Sequence, residues 1–304
     1  MKKSKTFPKI FPKIFPRGGA FSLIELAIVG LIISVLMAGI IGSGALKERA
    51  VLANARTITN NSPVGSIGDL ILWYETTSEK SFSANETFDG STISTWYDIN
   101  PNIETVRNNA TQTTAGNRPT YKTNKINGLP AISFTRANSS YLSFNGSGIV
   151  NNNYTIFVVE QRTSNSANNY FLGGSESTTS NTNLFLGYRD NTTLTSAMTN
   201  NGLNVTYSGY KEPNPLVHSY TFNFFTKTYN INGALQNTSS TGSSYDIKQP
   251  LASYAGSSIG RQLSLNYYQG DIGEIIIFKK IITAKEIKLV EKYLGKKWGI
   301  TISQ

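Results

Sequence analysis

The sequence predicts a mainly β protein with a transmembrane and stalk helix at its N-terminus, an antiparallel β-sandwich after it and one closing helix. Three observations carry that expectation. Leu26 to Leu46 is an uncharged, apolar run. Beyond Asp69, short stretches rich in Ile, Val, Phe, Tyr and Thr alternate with Asn, Ser, Gly and Thr clusters, the pattern of many short strands joined by turns. From Thr283 the apolar spacing changes to three and four residues, which is helical. The expected divisions are a leader at 1–20, the transmembrane and stalk helix at 21–60, a linker at 61–68 and the sandwich at 69–304.

The leader carries Lys2, Lys3, Lys5, Lys9, Lys13 and Arg17 and no acid. The chain's formal charge is +10, and without these six cations it is +4, so charge gives no reason to expect a nucleic-acid partner. The 304 residues contain no cysteine and one histidine, which excludes disulfides, a Cys nucleophile and most His-based metal sites.

At 1.5 Å per residue, Leu26 to Leu46 reaches about 31 Å, enough for a bilayer core of about 30 Å. The basic leader is expected to stay on the cytoplasmic side and Lys47 onward on the other. A cleaved secretory signal is the rival reading. Against it stand the length of the run, the small residues Gly18-Gly19-Ala20 ahead of it rather than behind it, and Glu25. An acid at mid-membrane costs about 2.5 to 3.5 kcal/mol, and such residues mark a partner or a site. Gly39, Gly42 and Gly44 either loosen the helix or let neighbouring helices approach. Asn60-Asn61-Ser62-Pro63 should end it.

The segment Phe21-Ser-Leu-Ile-Glu25-Leu-Ala-Ile-Val29, behind a basic leader and Gly19-Ala20, resembles the N-terminus of type IV prepilins and pseudopilins. The resemblance covers about 30 residues. It implies cleavage by a prepilin peptidase, N-methylation of the new terminus, residence in the inner membrane, and extraction into a filament through contacts with other pilin subunits. It also implies that Glu25 meets a neighbouring subunit's N-terminal amine. A cut at Ala20/Phe21 makes Glu25 the fifth mature residue. A cut at Gly19/Ala20 restores the family's usual glycine and makes Glu25 the sixth.

In the sandwich, strands are expected at Leu70 to Tyr74, Ala131 to Phe134, Tyr154 to Glu160, Leu184 to Tyr188, His218 to Phe224, Thr226 to Ile231, Ser257 to Gly260 and Glu274 to Phe278. Asn232-Gly233 reads as a hairpin turn. In the closing helix Thr283-Ala-Lys-Glu286 is a capping box, Ile287, Val290, Leu294 and Trp298 form an apolar stripe, and Gly299 is the stop. The lysines around it, Lys297 included, read as a solvated face.

Leu70-Ile-Leu-Trp73, Trp96-Tyr-Asp98, Arg118-Pro-Thr-Tyr121, Asn127-Gly-Leu-Pro130 with Phe134, Tyr141-Leu142, Asn232-Gly233, Gly270-Asp-Ile-Gly-Glu274 with Phe278, Tyr293-Leu294 and Lys297-Trp-Gly299 resemble the laminin G-like, concanavalin A-like jelly-roll domains of bacterial surface proteins. That implies two packed antiparallel sheets and, commonly, binding of glycans or matrix proteins, sometimes with calcium. Trp96, Tyr97, Tyr188, Tyr267 and Tyr268 are the aromatics weighed for stacking on sugar. Asp98, Asp190 and Asp246 are the carboxylates weighed for calcium, which prefers oxygen donors. Trp96, Asp98, Tyr188 and Asp190 form the expected ligand set.

Asp271 and Glu274 are the nearest match to the acids of polysaccharide-cleaving jelly rolls, whose Glu-x-Asp-x-x-Glu pattern lacks its first member here. No enzyme activity is expected, and no cofactor apart from calcium. The expected function is a pilin-like minor subunit, in the inner membrane before assembly and then in a pilus with its C-terminal domain periplasmic or extracellular, displaying a lectin-like head for adhesion or recognition. The alternatives are a structural pseudopilin of a type II secretion system and a membrane-tethered glycan-active enzyme.

Overall fold

A computed structural model describes residues 23–103, 106–175, 179–207, 214–240 and 249–303, with the side chains of 35–43, 45, 239 and 240 excepted. The chain forms two units, 1–47 and 48–304. The expected leader and the processing residues Gly19, Ala20 and Phe21 lie outside the described residues, as does Asp246.

In the first unit, helix α1 (Leu23–Asn60) begins. Leu23, Ile24, Leu26, Ile28, Val29, Leu31, Ile32 and Ile33 are all exposed there, so the helix is apolar around its circumference rather than along one stripe. Among the described residues no helix is long and apolar enough to cross a membrane. The expected span runs through 35–43, whose side chains are outside that set.

The second unit starts at Glu48, earlier than the expected boundary at 69, because the end of α1 and the connector are built into it. Ala55, Val64 and Ile67 are buried there, with Val51 and Ile58 packed beside them. Asn61 ends the helix by returning its amide to the Thr57 carbonyl. Eighteen strands follow among the described residues. In chain order they are β1 (Leu70–Glu75), β2 (Thr95–Trp96), β3 (Ala110–Thr111), β4 (Thr120–Ile126), β5 (Leu129–Phe134), β6 (Leu142–Ser143), β7 (Tyr154–Arg162), β8 (Asn169–Gly173) and β9 (Phe185–Tyr188). The rest are β10 (Thr193–Met198), β11 (Asn201–Thr206), β12 (Leu216–Phe222), β13 (Thr226–Ile231), β14 (Ala234–Ser240), β15 (Ser258–Ile259), β16 (Arg261–Gln262), β17 (Asn266–Tyr267) and β18 (Gly270–Phe278).

Two eight-stranded antiparallel sheets result, and β16 and β17 pair separately as a two-stranded hairpin. The first runs β14-β13-β12-β7-β18-β5-β4, with β1 also on β18, and the second runs β11-β10-β9-β8-β15-β6-β3-β2. Period-two alternation divides the first sheet's side chains between two cores. Tyr154, Ile156 and Val158 of β7 face the second sheet, among Leu72, Tyr220, Ile275, Phe171, Leu186 and Leu194. Phe157 and Val159 face the other way, onto Ala55 of α1 and onto helix α2 (Ala284–Trp298) through Val290, Leu294 and Trp298. The second unit is therefore a sandwich with α2 and the end of α1 laid over the back of one sheet.

A register shift between Ile272 and Glu274 lets Ile272 stay in the inter-sheet core while Glu274 turns toward α2. Helix α2 has the capping box on Thr283 and Glu286 and ends on Gly299 in the left-handed region. Asn232 and Gly233 both take positive φ, as the hairpin turn requires.

One expectation is corrected here. Lys297 is not on a solvated face: its side chain is fully buried between Glu75 at 2.6 Å and Glu274 at 2.9 Å. The helix rotation that buries Tyr293 and Trp298 carries Lys297 inward with them.

Candidate functional site

The four residues expected to hold a ligand occupy two separate places, since β8, β15, β6 and β3 lie between β9 and β2 in the second sheet. Trp96 has no exposed surface. Its Nε1 donates to the Glu75 carbonyl at 2.9 Å and its ring packs on Phe82 and Tyr74, so neither face is open to a sugar. Asp98 accepts from the backbone N–H groups of Trp73, Asn100 and Asn108, and burial raises its pKa despite them. Tyr188 is buried and donates to Glu160 at 2.7 Å, with the Arg162 guanidinium 3.9 Å from its ring centre. Asp190 holds its own turn, accepting from the N–H groups of Thr192 and Thr193, bonds that lower its pKa. Packing and turn formation thus account for all four. Among the described residues there is no group of three or more His, Cys, Asp or Glu able to hold a metal.

Two buried polar clusters escaped the sequence reading. Between the sheets, Glu160 faces His218 Nε2 at 2.8 Å and accepts from Tyr188 and Tyr268, while Tyr229 meets His218 Nδ1 at 2.9 Å. This carboxylate, imidazole and phenol constellation would suit acid–base chemistry, yet Glu160 and His218 are sealed in the core. Behind the first sheet, Glu274 accepts from Trp73, Tyr293, Trp298 and Lys297. A carboxylate so fully engaged and buried is unavailable to a substrate. Asp271, the other acid weighed for hydrolysis, is buried against Ser133 with Lys125 at 3.8 Å, and burial raises its pKa.

An open cleft lies among the loops at one end of the sandwich. Two hollows of about 640 and 560 Å³ share Phe144, Asn145 and Ser147 and form one cleft. Such volumes fall in the ordinary range for small-ligand sites. One arm is walled by the segment around Tyr254 and Ser257, the other by Arg107, Asn108 and Asn109.

Local sequence explains the shape. Asn108 and Asn145 clamp the two loops: the Asn108 amide donates to the Asn145 carbonyl at 2.7 Å, and Asn145 N–H donates back at 2.9 Å. Ser257 ties the third segment in, accepting from Gly146 N–H at 2.8 Å and donating to the Phe144 carbonyl at 2.6 Å. Only glycine fits at 146, because a Cβ there would lie 2.3 Å from the Tyr254 ring. The Phe144 and Tyr254 rings meet edge to face at 5.9 Å, both buried in the inter-sheet core, and form the apolar floor of the cleft.

Its polar lining is uncharged apart from Arg107, whose guanidinium is committed to the carbonyls of Asp98 and Asn100, both at 2.9 Å. Amides and hydroxyls over an apolar floor suit a neutral polyol. The signal available in sequence was the run Phe144-Asn-Gly-Ser147, polar turn chemistry beside an aromatic.

No family model matches the chain, and no curated protein matches it by sequence. Among solved structures it is similar to the CBM40 domain of the Ruminococcus gnavus IT-sialidase bound to alpha2,6 sialyllactose. There the identity is 15%, the TM-score 0.37, and the alignment covers 47% of this chain and 85% of that one. It is also similar to a structure of botulinum neurotoxin type C, a toxin whose cell entry is dependent upon interaction with two ganglioside molecules, at 14% identity and TM-score 0.48, covering 77% and 53%. A third is the binding domain of Paraclostridial Mosquitocidal Protein 1, at 11% identity and TM-score 0.49, covering 75% and 52%. The chain thus spans about half of each of these two toxin structures.

Proposed function

We propose that this chain is a type IV pilin-like minor subunit whose β-sandwich is a non-catalytic, lectin-like head that binds an uncharged saccharide in the end cleft. The cleft carries the recognition half of the reading: it is open, of ligand size, and lined by amides and hydroxyls. The delivery half rests on the basic leader, Gly19-Ala20, Phe21, Glu25 and the uncharged run to Leu46. A carboxylate at the head of that run is tolerable when a cation meets it, which is what assembly through a neighbour's amine supplies. The acids weighed for hydrolysis, Asp271 and Glu274, are buried in packing networks, which favours binding over cleavage.

A glycan array probed with the 48–304 unit tests the head. Binding to neutral oligosaccharides, weakened about tenfold or more by Asn145→Ala and abolished by Gly146→Val, is the expected result. Absence of any glycan or matrix-protein binding supports the structural pseudopilin instead. Release of reducing ends that disappears in Glu274→Gln would restore the enzyme reading.

A further inference from the structure

The small hairpin β16–β17 lies against the second sheet and presents a second polar feature, remote in chemistry from the neutral cleft. Arg261 pairs in register with Tyr267, and its guanidinium lies 3.6 Å from the centre of the Tyr141 ring. The Tyr141 and Tyr267 rings are 6.5 Å apart, and all three residues are half-buried. Arg261 makes no side-chain hydrogen bond or ion pair with any described residue, and its Nε is buried without a partner. The buried Nε–H lacks an acceptor at a cost, while the Nη donors keep exposed surface from which they can meet an anion.

The hairpin holds Arg261 by its backbone. Its carbonyl accepts from Ser258 Oγ at 3.0 Å, Leu263 N–H donates to the Gly174 carbonyl at 2.7 Å, and a Cβ on Gly173 would lie 2.5 Å from the Arg261 carbonyl. The glycine at 173 is what admits the hairpin so closely. The surroundings contain no competing anion in sequence: no Asp or Glu occurs between Glu104 and Glu160, the segment bearing Tyr141, or between Asp246 and Asp271, the segment bearing Arg261. Arg118 is linked to the same place through Gln112, which accepts from Arg118 Nε and donates to the Tyr141 carbonyl.

We infer that Arg261, Tyr141 and Tyr267 form a second binding site, for a saccharide carrying a carboxylate or sulfate group. The guanidinium fork takes the anion in a bidentate pair and Tyr267 offers its face to the sugar ring. This rests on the glycan-binding reading of the head but not on the end cleft.

The test is titration calorimetry of the full chain in detergent with an oligogalacturonate, a sulfated heparin-type oligosaccharide, a neutral oligosaccharide and inorganic sulfate. At least one anionic saccharide should bind, with affinity falling as salt rises. Arg261→Gln should weaken it about 10- to 100-fold, and Arg261→Lys by an intermediate factor because charge remains without the fork. Thermal melts identify any variant that fails to fold, and Tyr267→Ala then serves as the second probe. Asn145→Ala should weaken neutral binding and leave anionic binding intact, whereas an unaltered chain that binds an anionic saccharide but no neutral one overturns the cleft and spares this site. The uronate and sulfate arms tell which anion is preferred. No anionic binding, binding of inorganic sulfate as tight as that of the saccharides, or anionic binding indifferent to both Arg261 and Tyr267 overturns the proposal.

Discussion

Lys297 keeps its charge without any exposed side-chain surface. Burial opposes that charge, but Glu274 and Glu75 outweigh it and raise the lysine's pKa, while Lys297 and the Thr77 donors lower that of Glu75 against the same burial. The raised lysine stabilises the fold below its unfolded value of 10.5, and that contribution is lost as pH climbs through the folded value. The lowered glutamate stabilises the fold above 4.5, and its contribution is lost as pH falls through the folded value. Lys297→Met leaves two buried carboxylates without their cation and should cost about 3 to 5 kcal/mol at neutral pH, read by urea denaturation. Lys227 behaves oppositely. Burial lowers its pKa to about 7, and its amine reaches the Asn201 carbonyl at 2.8 Å. The unfolded chain therefore binds more protons above pH 7, and stability should rise by about 2 kcal/mol between pH 7 and 9, a rise that Lys227→Met removes. Neither lysine was legible as buried in the sequence, because a helix lysine at 297 or a strand lysine at 227 differs from a solvated one only through partners distant along the chain.

At the scale of elements, α2 is a case of local rules sufficing. Thr283 Oγ1 accepts from Glu286 N–H, Glu286 answers on the Thr283 N–H, and the stripe of Val290, Leu294 and Trp298 is buried. Thr283→Ala should lower stability by about 1 kcal/mol in the same denaturation measurement. Strands dense in branched and aromatic residues, such as β7 and β18, were equally legible. Those read poorly from sequence were β10 and β11, where Thr, Ser, Asn and Gly dominate and propensity is weak. Their pairing, from Thr193↔Thr206 to Met198↔Asn201, is set by a hairpin and, on β11, by burial of alternate residues. The cleft was illegible for a related reason. Its walls come from segments near 107, 145 and 254, which only tertiary ties, Asn108 on Asn145 and Ser257 on Phe144 and Gly146, bring together. Trp96 and Tyr188 showed the reverse error, since aromatics next to acids in sequence look like a ligand platform whether they face solvent or core.

At the scale of the molecule, the proposed function gives delivery to one part of the sequence and recognition to the other. The first unit displays apolar side chains on all sides of its helix, which demands an apolar environment or neighbouring helices. The second holds its own two cores and needs no cross-links. Glu25→Ala should leave processing intact and reduce incorporation into filaments, as read by the ratio of membrane-retained to sheared chain. The central claim, a filament subunit carrying a recognition head, is tested most directly by mass spectrometry of the mature N-terminus from cells producing the chain. The account predicts a chain starting at N-methylated Phe21, and a start at N-methylated Ala20 would shift the cut by one residue within the same processing. An intact leader, or a cut beyond Leu46, would contradict it.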